Sequence, residues 1–220
     1  MDFDILLPNN NEESFIMLAE KLNYKGLLFL YSIDNFTKKK EAKYTTSLTI
    51  IQGIIAEKKD IPKAKKISNF VLTIADEKDS RNVIEQHIPD AMVNFEDNSI
   101  NDTLKQRYSG LNNVLCDLMA KNDINLCFSL AEIKQNNEDY LGRIMQNITL
   151  AQKHKVPIII ASFTSDPYQM RNPKDIISFF VTIGMKETIA KHGLINCYKK
   201  YISNKKEKAG ESFGKGIEVV

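Results

Sequence analysis

Cysteine is scarce and unpaired in this chain: Cys116, Cys127 and Cys197 are three, far apart, and form no CxxC or other metal-ligand spacing. That excludes a disulfide framework and a thiolate zinc site, and the apolar neighbours of each mark small core residues. Long hydrophobic runs are missing too. The longest uncharged stretch, about Val156 to Ser165, is far too short to span a bilayer. The first residues, Met1-Asp2-Phe3-Asp4, carry acid where a secretory signal would carry base. The expectation is a cytoplasmic protein with no membrane partner. A large charge of one sign is also absent, since 30 basic and 28 acidic residues leave a net +2. Bulk charge alone therefore does not make this chain a binder of naked nucleic acid.

The usual catalytic signatures are missing as well. His87, His154 and His192 are isolated, beside charged residues, and form no HxH or HExxH spacing. No GxGxxG or GxxxxGK[ST] loop is present to cradle a phosphate, and no GxSxG elbow to raise a nucleophile. Acidic residues at strand ends are sparse: Asp4 on the first strand, Asp76 after the fourth, Glu96 and Asp97 after the fifth. Asp76 and Glu96 either share a pole or serve as caps and ion-pair partners. No acid, base and nucleophile assemble from the pattern.

What is present is an alternation of short β-branched runs with longer amphipathic stretches. Phe3 to Leu7 reads as a strand stopped by Pro8, after which Asn10 is expected to cap a helix with Glu13 at the capping-box position. Leu27 to Tyr31 and Phe70 to Ala75 are apolar without alternation, as strands buried on both faces are. Tyr44 to Ile51 reads as a strand that Gly53 to Ala56 extends after a break, and Asp60 to Lys66 as a short basic helix. Ala91 to Phe95, Asn125 to Ser129 and Ile158 to Ser162 complete seven strand candidates. Helices are expected around Leu111 to Met119 and Leu141 to Ala151. Another is capped by Asn172, with Pro173 at its first position and Gly184 at its end.

Seven strands alternating with helices predict an α/β TIM-like barrel, incomplete for want of an eighth strand, with an open doubly wound sheet as the alternative. The expected domain spans 1–204, followed by a basic, flexible tail over 205–220.

Lysines fall in three clusters: Lys38-Lys39-Lys40, then Lys58 to Lys66, then Lys199 to Lys208. Each is either a solvated face or part of a surface for a polyanion. The most pointed segment is Ala161 to Asp175. It leaves a buried strand, crosses a polar loop and presents Arg171 just before a helix start. An arginine there suits a phosphate or oxyanion, or it braces the loop by pairing with a neighbouring carboxylate.

That segment resembles the "S…D…(L/M)R.P.D" signature of the archaeal ribonuclease P protein component 3 family. Other blocks agree in order. Asp4-Ile5-Leu6-Leu7-Pro8 is similar to the family's opening "D-x-(V/L)-L-P". Ser80-Arg81-Asn82 before Pro89-Asp90-Ala91-Met92-Val93 resembles its arginine-asparagine loop and following strand. Leu111 to Leu115, Met119 to Ile124, and Gly184-Met185 with Ala190 match later blocks, so the resemblance covers about residues 2–203.

The resemblance implies an incomplete TIM-like barrel that serves a catalytic RNA and is not an enzyme on its own. Its partners would be ribonuclease P RNA, precursor tRNA and a small companion protein subunit. The holoenzyme would remove the 5′ leader with Mg²⁺ held by the RNA, and the protein itself would bind no cofactor or metal. Arg171 and Lys174, then Arg81, Lys38, Lys39 and Lys40, are the expected contacts to RNA or partner. The modest net charge implies that the companion supplies much of the positive surface. The alternative is a small phosphoesterase-like barrel enzyme holding a metal with Asp4, Asp76 and Glu96.

Overall fold

A computed structural model describes residues 2–39, 44–97, 102–103, 107–135 and 138–210. Seven strands form one sheet, all neighbours parallel and in chain order. They are β1 (Phe3–Leu6), β2 (Gly26–Tyr31), β3 (Thr49–Ile55), β4 (Val71–Ile74), β5 (Ala91–Val93), β6 (Asn125–Ser129) and β7 (Ile158–Ala161). The helices are α1 (Glu12–Lys21), α2 (Ile33–Lys39), α3 (Ile61–Ile67), the single turn α4 (Ser80–Asn82), α5 (Asn113–Lys121), α6 (Leu130–Gln135), α7 (Glu138–Lys153), α8 (Pro173–Thr182), α9 (Glu187–Gly193) and α10 (Asn196–Lys208). Strands buried on both faces explain the unbroken apolar runs: one face fills the barrel and the other meets helices. Phe3, Ile5, Leu28, Leu30, Phe70, Leu72 and Ile159 pack in the interior. Leu6, Leu27, Phe29, Val71, Met92 and Ile160 pack outward with Phe15, Ala19, Ile148 and Phe180.

No eighth strand stands between β7 and β1 among the described residues, and the gap is closed in two ways. At the end where strands finish, Phe163 N donates to Ile5 O at 3.0 Å and Leu7 N to Thr164 O at 3.0 Å. At the end where strands begin, the α9–α10 junction fills the space. Leu194 O accepts from Phe3 N at 2.9 Å, and Asn196 Nδ2 donates to Ile158 O at 2.8 Å. Edge groups that an eighth strand would pair are thus satisfied by a helix turn and a side chain.

α10 then crosses the pole where strands begin. Cys197 joins the barrel interior, and Tyr198 stacks on Phe3 with ring centroids 4.5 Å apart. Asn204 Nδ2 donates to Asn69 O at 2.9 Å and to Asp90 Oδ1 at 2.8 Å, and Lys208 Nζ to Ser68 O. These inward groups recur at helical spacing, so the helix continues through Lys208 and the boundary expected at 204 falls inside it. The tail expected over 205–220 is otherwise outside the described residues from 211 onward.

Two local expectations need correction. Helix α1 starts at Glu12, not behind an Asn10 cap: Asn10 has φ of 58°, and the Asn11 amide is directed to Ser165 O at 3.0 Å, so no capping box forms. The strand expected over Tyr44–Ile51 is one strand shifted to Thr49–Ile55, and Gly53 lies inside it. A Cβ at Gly53 would come within 2.9 Å of a Leu30 methyl and 3.0 Å of Phe70 O, so the glycine permits close strand packing and breaks nothing.

Asn204→Ala removes two hydrogen bonds and strips a partner from the buried Asp90 carboxyl. It should destabilise the fold by about 1–3 kcal/mol in urea unfolding, with secondary structure retained at zero denaturant. An unchanged midpoint would show that α10 docks without it.

Candidate nucleic-acid interface

The segment after β7 is built by short-range hydrogen bonds. Asp166 Oδ1 accepts from Tyr168 N at 3.0 Å, capping a single 3₁₀ turn over Pro167–Gln169. Asn172 Oδ1 accepts from Lys174 N at 2.9 Å, with Pro173 in the first turn, so α8 is capped as expected. Three further bonds lay the loop along α1. Ser165 O takes the Asn11 amide beside the start of α1, Arg171 O accepts from Tyr24 OH at 2.7 Å, and Asn172 Nδ2 reaches Leu22 O just past its end. Met170, 3% exposed, anchors the loop to the core.

Arg171 itself is exposed, and its Nη1 donates to Tyr168 O at 3.2 Å and Met170 O at 2.8 Å. No described carboxylate pairs with it, so the loop is braced by carbonyls and the guanidinium keeps its remaining donors. Tyr168, 87% exposed, and Lys174, also exposed, stand beside it. An aromatic ring, a guanidinium and an ammonium on one surface can stack on a base and hold phosphates. Tyr168 escaped the reading of the sequence; its signal was an aromatic residue within an otherwise polar loop.

Behind the loop lies Asp4. It alternates with Phe3 and Ile5, which face the barrel interior, so its side chain turns to the helix side. Asp4 Oδ1 accepts from Ile5 N at 2.9 Å and Ser162 N at 2.7 Å, while Asp4 Oδ2 and Ser162 Oγ make no hydrogen bond. Burial pushes the carboxyl up to about 6, against the opposing pull of the Ser162 and Ile5 contacts. Burial beside this carboxylate likewise raises the Tyr24 hydroxyl well above its usual value.

The expected alternative metal set does not come together. Asp76 is exposed and its Oδ1 accepts from Lys78 N at 2.9 Å and Asp79 N at 3.1 Å, a cap for the turn before α4. Glu96 is 2% exposed, accepts from Asn147 Nδ2 of α7 at 2.7 Å, and is pushed up to about 7 by burial. Among the described residues no three His, Cys, Asp or Glu side chains cluster to hold a metal.

A family model described as RNase P subunit p30 matches residues 1–209. The chain belongs to that family. It is 24% identical over 205 residues to ribonuclease P protein component 3 of Methanocaldococcus jannaschii, covering 86% of this chain and 85% of that protein. Its match to the protein of the same name in Methanosarcina mazei is 29% over 126 residues, covering 55% of this chain and 52% of that one. A chain in the cryo-EM structure of archaeal ribonuclease P with mature tRNA shares the fold at a TM-score of 0.74 and 21% identity, covering 99% of this chain and 97% of the other.

The other candidate residues of this p30-family chain are dispersed. Arg81 lies in α4, at the pole where strands end, with its Nε 3.0 Å from Glu85 Oε1. Lys39 Nζ lies 2.9 Å from Glu12 Oε1, Lys38 is exposed, and Lys40 lies outside the described residues. The cleft at that same pole, about 700 Å³, is rimmed by Asp34, Glu57, Asp60, Asp76 and Asp79 beside Lys58 and Lys63. Its acidic rim repels phosphate. Arg171 and Lys174 share the loop and start of α8, and Lys38 and Lys39 share the last turn of α2.

Because Asp4 is raised from 3.8 to about 6 by burial, the unfolded chain ionises first and folding loses free energy as pH rises through that window. Asp4→Asn should therefore match wild type near pH 4 and exceed it by on the order of 2–3 kcal/mol above pH 7. A difference independent of pH in urea unfolding would contradict burial as the cause.

Proposed function

We propose that this chain is the barrel subunit of a cytoplasmic ribonuclease P, holding the catalytic RNA and precursor tRNA without performing the chemistry. The family match over residues 1–209 carries the reading. The fold shared with a chain of archaeal ribonuclease P bound to mature tRNA supports it. So does the dispersal of the carboxylates an enzyme would need. The residues through Lys208 act as one barrel domain. A small companion protein shares the work, and Mg²⁺ is held by the RNA, not by this chain.

Arg171 is the first contact, with Tyr168 and Lys174 beside it, and Arg81, Lys38, Lys39 and Lys40 are secondary contacts to RNA or companion. Cations placed against phosphates offset their mutual repulsion, so the RNA fold needs less Mg²⁺. The test is 5′ cleavage of precursor tRNA by the cognate RNA and companion at low Mg²⁺, with and without this protein. Cleavage is expected only with it. Arg171→Ala should shift the Mg²⁺ midpoint upward while maximal cleavage at high Mg²⁺ returns. A chain that adds nothing to a folded RNA and companion would overturn the proposal.

A further inference from the structure

The helices that follow strands in a βα barrel run back in one direction, so their first turns gather at one pole and their last turns at the other. Acid is favoured in a first turn and base in a last turn. Here Glu12, Glu13, Asp34 and Glu132 sit in first turns, and Lys21, Lys66, Lys121 and Lys153 in last turns. The small net charge conceals a molecule with an acidic end and a basic end.

Helix ends do not account for the whole basic end. Lys25 stands on the α1–β2 loop, Lys155 on the α7–β7 loop, and Lys199 and Lys205 on α10, all exposed together with Lys66 and Lys121. None of these six pairs with a described carboxylate. Several carboxylates of this pole are engaged: Asp123 with Lys200 Nζ at 3.1 Å, Asp117 with His154 at 2.6 Å, Glu20 with Thr46 Oγ1 at 2.6 Å, and Asp90 buried under Asn204, while Asp175 in the first turn of α8 is exposed. Exposed Glu207 stands among the lysines. The surface is continuous with the Arg171–Lys174 loop, because Asn172 bonds Leu22 on the same α1–β2 loop that carries Lys25.

We infer that the pole where strands begin, roofed by α10, is a docking surface for the phosphate backbone of an RNA helix. This rests on the subunit reading and places its RNA opposite the pole where barrel enzymes keep their active sites. Lysines are point charges without a fork for base edges, so the surface reads backbone and not sequence. A protein partner would want apolar anchors at the centre of its patch. Apart from Tyr168, 87% exposed on the adjoining Arg171 loop, the most exposed of these lie elsewhere, Met17 at 61% on α1 and Ile74 at 55% and Val114 at 53% towards the other pole, against Ile88 at 37% here.

The test uses the full chain and two probes, a blunt synthetic RNA duplex and the cognate ribonuclease P RNA. Binding is titrated against salt for wild type, for Lys25→Glu/Lys199→Glu/Lys205→Glu, and for a control at the other pole, Lys59→Glu/Lys78→Glu. The triple variant should lower the slope of log affinity against log salt by about 2, at roughly 0.7–0.9 for each phosphate no longer neutralised, and the control should leave it unchanged. Lysine acetylation of wild type gives a second reading without substitution: RNA should protect Lys25, Lys199 and Lys205 but not Lys59 or Lys78. Wild type binding RNA with neither effect would overturn the surface and leave the subunit role standing. Protection by the companion protein and not by RNA would also overturn it. No RNA binding by wild type, alone or with companion, would sink both readings.

Discussion

A parallel barrel one strand short must satisfy the two edges it leaves open, and the rest of this molecule follows from how that is done. Leu194 O and Asn196 Nδ2 take the places of an eighth strand at one end, and the Phe163–Thr164 backbone does so at the other. The first closure brings α10 across the barrel and its lysines to one pole. The second sends the chain past α1 and presents Arg171, Tyr168 and Lys174 to solvent. Both proposed RNA contacts are consequences of closing one seam.

Polar groups at the seam are buried under tension. Asp4 holds the Ser162 amide, which keeps the turn after β7 in place, yet burial disfavours its charge and one of its oxygens makes no hydrogen bond. Tyr24 continues this cluster to the Arg171 carbonyl. Glu96 and Asn147 play a comparable part on the far side, tying the chain after β5 to α7. In a hydrolase barrel, carboxyls raised by burial would invite a catalytic reading. Here each faces the helix layer or a helix amide, and the shift records the cost of burial.

Family membership and electrostatics fit one another. A chain with net +2 has little bulk attraction for RNA, but separating its charges by pole gives one surface that attracts phosphate and one that repels it. In the proposed assembly, orientation on the RNA comes from the molecule's own polarity, which a uniformly basic protein would lack.

Much of this was legible in the amino-acid order. The seven strand candidates, the parallel architecture, the missing eighth strand, the Asn172 cap and the Gly184 stop all follow from local periodicity and turn chemistry, which act over a few residues. The Arg171 loop was legible too, because an arginine before a capped helix is a local pattern. The α1 start, the β3 register and the end of α10 were not, since long-range contacts decide them: Asn11 with Ser165, Gly53 beneath Leu30, Lys208 against Ser68. The grouping of charges was least visible of all. Lys25 and Lys155 are far apart in the chain and share a surface because crossovers in a parallel barrel return to the same pole, and Lys199 joins them because α10 lies across that pole. That geometry is a property of the closed sheet, and no window of sequence contains it.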